Sequence, residues 1–269
     1  MKRVFKAAAT TAGISVGLFV GTALFLGKPR PDEPEFLKHL RYNMWAEALA
    51  LLGYGLWHPH LLSSGAARSE KEMSLPGDAL VPNANHSATY AITINAPAEK
   101  IWPWLVQMGD GRASWYAWSP VYVYPEFRDR VSPFHLDPRW QTLKVGDILL
   151  DGDVLDTCSE DRGAWRVREI QERRAIVYFS ARDLVEGREF DPAGPRPKGI
   201  YAVTSWTFYI SEVDAAHSRL LIRVRAEVGP PLLVPIAHLV FGNYDRVWER
   251  TILEGVKTRV EHWKDDKQS

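Results

Sequence analysis

Apolar and polar residues alternate with a period of two in several parts of the chain, which is typical of β-strands that bury one face. Tyr90, Ile92 and Ile94 share one face of the first such run. Further strands are predicted at 148–150, 165–170, 175–179, 201–210 and 219–228. A short charged turn at 172–174 separates two of these runs, and the order of the elements along the chain predicts an antiparallel sheet.

Two helices are predicted around this sheet. The first begins after Asn95, and Pro103 inside it is expected to kink or split it. The second runs from about Leu239 to Lys264 and carries an apolar stripe at helical spacing, made of Trp248, Ile252, Val256, Val260 and Trp263. A helix with one apolar face has to bury that face. The pattern therefore predicts an α+β fold with a curved antiparallel sheet wrapped around a long C-terminal helix.

The N-terminus has the pattern of a membrane anchor. Lys2, Arg3 and Lys6 precede an uncharged apolar run, 7–27, of about 20 residues, enough for a transmembrane helix. A cleaved signal peptide is the alternative, but 24–28 lacks the small-x-small pattern of a cleavage site. We favour the uncleaved anchor, with the basic end in the cytoplasm and the body on the non-cytoplasmic side of the membrane.

The residues between the anchor and the sheet divide into two parts. A helical pattern at 35–57 contains Glu47 and has a short apolar stretch, so we expect an interfacial or docked helix; a second membrane segment is the alternative. Residues 63–82 are polar and turn-rich and are expected to be a linker. The predicted division is an anchor at 1–30, a juxtamembrane helix and linker at 31–82, and the folded body at 83–269.

Charge and cysteine content exclude several classes of function. Lys and Arg number 33 and so do Asp and Glu, so the net charge of zero gives no general attraction to nucleic acid. Cys158 is the only cysteine, which rules out an internal disulfide and a thiolate metal cluster. No motif for phosphate, dinucleotide, zinc or a nucleophilic serine is present. We therefore expect no cofactor, no metal and no nucleic-acid partner, and the oligomeric state is left open.

An ordered set of motifs carries a family resemblance. The run 92–109 resembles the opening strand and helix of SRPBCC proteins, the superfamily that includes START domains, polyketide cyclases and pollen allergens. The stretch 111–116 is similar to a Gly-Arg-x-Gly-Trp-Tyr stretch of an uncharacterised, membrane-anchored bacterial branch, although Ser114 stands where that branch usually has Gly. The segments 144–147, 205–208, 218–225 and 248–257 fit the same branch in order, so the resemblance covers about 77–263.

This resemblance implies a helix-grip fold with a cavity between the sheet and the C-terminal helix. Family members bind lipids, sterols, hormones or polyketides, and a few catalyse cyclisation or hydrolysis. The residues expected to contact a ligand are mostly aromatic: Trp104, Trp115, Tyr116, Trp118, Trp165, Trp206, Phe208, Arg223, Trp248 and Ile252. Simple core packing is the alternative role for the apolar members of this set.

Arg223 has two interpretations. It shares a strand face with Arg225 and Glu227, which is typical of a charged row facing solvent. If it faced the cavity instead, burial would require a partner such as a ligand carboxylate or Asp151. No catalytic residue is assigned on this evidence.

Three functions follow from the sequence. The first is a membrane-anchored protein that holds an apolar small molecule or lipid in its cavity, and we favour it. The second is a cyclase or hydrolase that uses the same cavity, which requires converging titratable groups. The third is a membrane-tethered interaction module, which predicts a filled core and an exposed apolar patch.

Overall fold

The computed structural model describes residues 64–117, 133–150, 164–184, 186 and 188–262. The predicted membrane anchor and juxtamembrane helix fall within residues 1–63 and lie outside the described residues. In the part of the chain that is described, no helix is both long enough and apolar enough to cross a membrane.

One antiparallel sheet forms the centre of the described structure. Its strands are β1 (His86–Ile94), β2 (Ile148–Leu150), β3 (Ala164–Gln171), β4 (Ala175–Asp183), β5 (Arg188–Glu189), β6 (Tyr201–Asp214) and β7 (His217–Gly229). The strand order is β1-β7-β6-β4-β3-β2, and the short β5 pairs with β4. The first strand therefore lies beside the last one, and the predicted antiparallel sheet is confirmed.

The register of the sheet fixes which side chains share a face. Tyr90 pairs with Ile222, and Ile222 pairs with Phe208 on the next strand. Because residues opposite one another in an antiparallel pair point to the same side, these three side chains belong to one face of the sheet. We call it the helix-facing side, because residues of this face pack in one core with residues of the helices.

The described helices are α1 (Arg68–Glu72), α2 (Ala98–Val106) and α3 (Val234–His262), with short 3-10 turns at Asp78–Leu80, Pro138–Trp140 and Pro231–Leu233. The sequence predicts that Pro103 kinks or splits the first helix; α2 continues through Pro103, so it is not split there. Proline removes one backbone donor, but its fixed φ is compatible with a helix. The long helix α3 begins five residues before the predicted start at Leu239.

The main core lies between the sheet and the helices α2 and α3. Fully buried side chains from the helices include Ile101 and Trp104 of α2 and Ile252 and Val256 of α3. They pack with the alternating apolar residues of β1, β6 and β7, in agreement with the predicted faces of these strands. The long antiparallel sheet and its C-terminal helix thus form an α+β arrangement of the helix-grip type.

A second layer covers part of the opposite, outer face of the sheet. Residues 64–84, which we call the N-terminal strap, place Leu75 against Leu221 and Tyr209, and Val81 against Val203. The sequence predicts a linker over most of this stretch, but in the structure it is packed and partly buried. Gly77 adopts φ +86, and a Cβ there would lie 2.6 Å from Val177, so the strap approaches the sheet more closely than another residue would allow.

Candidate ligand-binding site

Five aromatic side chains meet on the helix-facing side of the sheet. We call them the aromatic cluster: Trp115, Trp165, Tyr178, Trp206 and Phe208. The ring centroid of Trp206 lies 4.8 Å from that of Trp115, 5.1 Å from Trp165, 5.8 Å from Tyr178 and 4.9 Å from Phe208. All four contacts of Trp206 are tilted, and Tyr178 meets Trp115 and Phe208 edge-on, an arrangement that aromatic quadrupoles favour. Trp206 is thus the centre of a continuous aromatic surface under the helices.

Several polar atoms in this cluster are buried without a hydrogen-bond partner. Among the described residues, the indole nitrogens of Trp165 and Trp206 and the hydroxyl of Tyr178 find no donor or acceptor. Leaving such a group unsatisfied costs about 1–3 kcal/mol. By contrast, the indole of Trp115 donates to the carbonyl of Leu150 over 3.3 Å. Burial also raises the pKa of Tyr178, so its hydroxyl stays protonated and can donate.

The loop that carries Trp115 has an unusual backbone. Ser114 and Tyr116 have φ values of +62° and +61°, in the left-handed region that non-glycine residues seldom adopt. Such residues cost about 1–3 kcal/mol each and concentrate at functional sites. The conformation of Ser114 is one that glycine adopts without this cost. Trp115 lies between these two residues, and its side chain packs in the aromatic cluster.

A hydrogen-bond network holds this loop against α2. The side-chain amide of Gln107, fully buried, donates to the hydroxyl of Tyr116 over 2.8 Å and to the carbonyl of His135 over 3.2 Å. The Tyr116 hydroxyl in turn donates to the carbonyl of Trp104 over 3.1 Å. The amide oxygen of Gln107 accepts from the backbone of Asp137. Gln107 therefore connects three separate segments, and its role is to position the loop.

Arg112 brings a cation to the edge of the cluster. Its guanidinium donates to the backbone carbonyls of Val106 and Trp140, but its Nε atom is buried and has no partner among the described residues. Burial lowers the pKa of Arg112, and the charge of this side chain acts on the hydroxyl of Tyr178. A half-buried guanidinium with an open donor is suited to bind an oxygen atom of a ligand.

The helix α3 closes the other side of the loop. Arg259 is stacked between the rings of Tyr116 and Phe134, with centroid distances of 4.4 and 4.3 Å. At Gly255, the missing side chain lets the backbone of Tyr116 approach the helix, because a Cβ there would lie 2.3 Å from the Tyr116 carbonyl oxygen. The loop is therefore fixed by α2 on one side and by α3 on the other.

The structure brings most of the predicted ligand-contacting residues together. Trp104, Trp115, Tyr116, Trp206, Phe208 and Ile252 are buried members of the core between sheet and helices, and Trp165 and Trp248 are half-buried and pack against it. Trp118 lies outside the described residues, so its predicted contact with a ligand stays a prediction. The other residues therefore share one region of the protein.

Arg223 is the exception, and its expected position in the cavity is wrong. Its side chain is 3% exposed on the outer face of the sheet, where it contacts the N-terminal strap and Asp78 instead of the aromatic cluster. It is not a solvent-facing residue either, because the strap covers it. Asp151, the partner considered for it, lies outside the described residues.

Sequence reasoning missed Tyr178, Gln107 and Arg112 as site residues. The alternation within β4 places Ile176 and Tyr178 on one face, so the strand pattern could have identified Tyr178. Gln107 and Arg112 follow α2 in an irregular stretch, where no periodicity marks the buried side.

In the described part of the chain, no group of three His, Cys, Asp or Glu side chains is placed to hold a metal ion. No protein-family model matches this chain, and no curated protein matches it significantly. Solved structures do match over most of its length, at low identity.

Among them is norcoclaurine synthase from Thalictrum flavum, solved with dopamine and hydroxybenzaldehyde, at 13% identity over 72% of this chain and 97% of that chain, with a TM-score of 0.37. A START superfamily protein from Mycobacterium smegmatis is 14% identical over 66% of this chain and 98% of that chain, with a TM-score of 0.27. The di-domain ARO/CYC protein BexL of the BE-7585A biosynthetic pathway is 16% identical over 65% of this chain and 46% of that chain, with a TM-score of 0.33. These scores are too low to assign the chain to a family, so the fold assignment rests on its own strand order and helix packing.

Proposed function

We propose that this protein binds an apolar small molecule or lipid at the aromatic cluster, between the sheet and α3, and that residues 7–27 anchor it in a membrane. The observation that carries the proposal is the aromatic surface around Trp206, which presents buried polar groups with no partner in the described protein. Protein interiors normally satisfy such groups, and a ligand is one way to satisfy them.

The strained loop supports the same proposal. The backbone of Ser114 and Tyr116 is held in a costly conformation by contacts from α2 and α3. A loop that served only to fill the core would gain nothing from this strain. The strain is explained if the loop has to present Trp115 to a bound molecule.

The enzyme alternative is weaker because Arg223 and Glu227, two of the residues considered for it, have partners on the outer face of the sheet. Arg223 binds the strap. Glu227 forms an ion pair with Arg196, in which Oε1 of Glu227 lies 2.8 Å from Nε of Arg196. Arg223 and the ion pair of Glu227 with Arg196 therefore lie away from the aromatic cluster.

A ligand-free interaction module is the third possibility. It would use exposed apolar side chains, and Val145, Ile148 and Leu150 are 61%, 53% and 41% exposed at or beside the edge strand β2. An edge strand with apolar side chains is a surface on which other chains can pair. An interaction module predicts no bound compound in an extract of the purified protein, whereas the ligand proposal predicts one.

The test is organic extraction of the full chain after gentle purification from cells, followed by mass spectrometry of the extract. Ile252→Trp enlarges a fully buried side chain of α3 that faces the core, and Val213→Trp makes the same enlargement at a position that is 60% exposed. We expect one apolar compound in the extract of the wild type and of Val213→Trp, strongly depleted in Ile252→Trp. Identical extracts from all three proteins would contradict the proposal, provided that circular dichroism shows Ile252→Trp to be folded.

A further inference from the structure

The polar groups of the aromatic cluster share one chemical property, which is that they act as donors. An indole N–H can only donate, and a guanidinium can only donate. This applies to the unpartnered nitrogens of Trp165, Trp206 and Arg112. The hydroxyl of Tyr178 can donate or accept, and it stays neutral because burial raises its pKa.

The rings that carry three of these donors are close to one another. The Trp206 ring lies 5.1 Å from Trp165 and 5.8 Å from Tyr178, measured between centroids. Tyr178 and Trp206 are 0% and 2% exposed, so water does not reach them from the surface. A molecule that enters between the sheet and α3 would meet an aromatic surface whose open polar groups need an acceptor.

Arg112 brings a positive charge to this place. Its guanidinium donates to the backbone carbonyls of Val106 and Trp140 and forms no ion pair with another described residue, although the carboxylate of Asp147 is close enough to act on its charge. A ligand cation would be repelled there, whereas an oxygen with negative charge would form a charge-assisted hydrogen bond.

We infer that the ligand is an apolar molecule that carries an oxygen acceptor, preferably an anionic carboxylate or enolate, and that Tyr178, Trp206 and Arg112 donate to this oxygen. The inference rests on the proposed function and specifies the chemical class of its ligand. Neutral donors can donate to a ketone oxygen as well, so the positive charge of Arg112 is what favours the anion.

Three probes of one ring size test this class. They are 2-naphthoate, which offers anionic acceptors, naphthalene, which offers none, and 2-naphthylmethylammonium, which is a cation and a donor. Binding is measured by isothermal titration calorimetry on the full chain in phospholipid nanodiscs, with empty nanodiscs as the blank. Any co-purified molecule is first stripped from the chain in detergent, and a mass spectrum confirms that none remains before the chain is placed in the nanodiscs.

We expect 2-naphthoate to bind at least about tenfold more tightly than 2-naphthylmethylammonium, since a hydrogen bond to a charged group contributes roughly this factor or more. Tyr178→Phe and Trp206→Phe each remove a donor, and each should weaken 2-naphthoate binding about tenfold, a larger factor than the change in naphthalene binding in the same variant. Tyr209→Phe is the matched control, because Tyr209 lies on the outer face and its hydroxyl accepts from Arg174.

Two other outcomes are informative. If all three probes bind equally and the two donor variants change nothing, the inference about the acceptor is overturned while the proposed apolar site stands. If none of the probes binds, the proposed function itself is contradicted, and the inference falls with it.

Discussion

The guanidinium of Arg223 on β7 donates to the carboxylate of Asp78 over 2.9 Å, and so ties the outer face of the sheet to the N-terminal strap. The same side chain donates to the backbone carbonyls of Glu70, Lys71 and Met73, at the C-terminal end of α1, and to the hydroxyl of Thr89. A cation at this end of a helix satisfies carbonyls that lack an intrahelical partner. Arg223 thus fixes the part of the chain that connects the predicted anchor to the body.

Removing this contact should release the strap. Arg223→Ala leaves the Asp78 carboxylate and three carbonyls without their donor, so we expect a loss of about 3 kcal/mol in the free energy of unfolding. Urea denaturation gives this value, and amide hydrogen exchange should show faster exchange at 68–82. The control Arg68→Ala removes an ion pair whose side chains are 90% and 62% exposed, and should change stability by less than about 0.5 kcal/mol. Equal losses in the two variants would argue against a special role for Arg223.

The strap should also loosen in acid. A hydrogen bond from Arg219 holds the pKa of Glu70 below its ordinary value of 4.5. Because the pKa is lower in the folded state, this pair stabilises the fold above about pH 4.5 and the contribution is lost as the pH falls through the folded value. In the wild type the free energy of unfolding should fall between about pH 5 and 3, and we expect Glu70→Gln to make this fall less steep. Parallel pH curves for wild type and variant would refute the assignment.

The contact between Gly255 and the Tyr116 backbone decides whether Gly255→Ala stabilises the protein through helix propensity or destabilises it through a clash. Replacing Gly by Ala inside a helix normally stabilises by about 1 kcal/mol. Here the added Cβ would lie 2.3 Å from a backbone oxygen, so we expect Gly255→Ala to destabilise by about 1–3 kcal/mol. Thr258→Ala, at an exposed position of the same helix, should be neutral or slightly stabilising. Thermal unfolding of both variants distinguishes the cases, and a stabilised Gly255→Ala would show that the loop does not approach the helix.

Tyr178 should behave unlike an ordinary buried tyrosine. Its hydroxyl is buried and has no partner in the described residues, so Tyr178→Phe removes an unsatisfied group and should stabilise the ligand-free protein by about 1 kcal/mol. Tyr209→Phe loses the hydrogen bond from Arg174 and should destabilise slightly. Denaturation curves of the ligand-free proteins measure both. A destabilised Tyr178→Phe would mean that the hydroxyl is satisfied without a ligand.

Alternation along the strands predicts the core side of the sheet, and the structure confirms it. Leu220, Ile222 and Val224 face the core because a period of two fixes the face of each residue. The same pattern places Arg223 on the opposite face, but it does not show what covers that face. The strap is polar and rich in turns, and its docking depends on contacts such as that of Arg223 with Met73, 150 positions away.

The candidate site is only partly predictable for a related reason. Aromatic residues at core spacing, such as Trp206 and Phe208, are recognisable from the strand pattern. The hydrogen bonds of Gln107 and the open donor of Arg112 depend on how an irregular loop folds back on α2. Loops have no periodicity that would reveal such contacts.

The most direct test of the central claim is native mass spectrometry of the full chain, released from detergent without denaturation. The account predicts a bound molecule at one copy per chain, retained in Tyr209→Phe and diminished in Trp206→Phe, whose ring lies at the centre of the aromatic cluster. A chain that carries no bound molecule, and whose mass and stability are unchanged by added lipids and aromatic acids, would contradict the claim that the protein binds an apolar molecule.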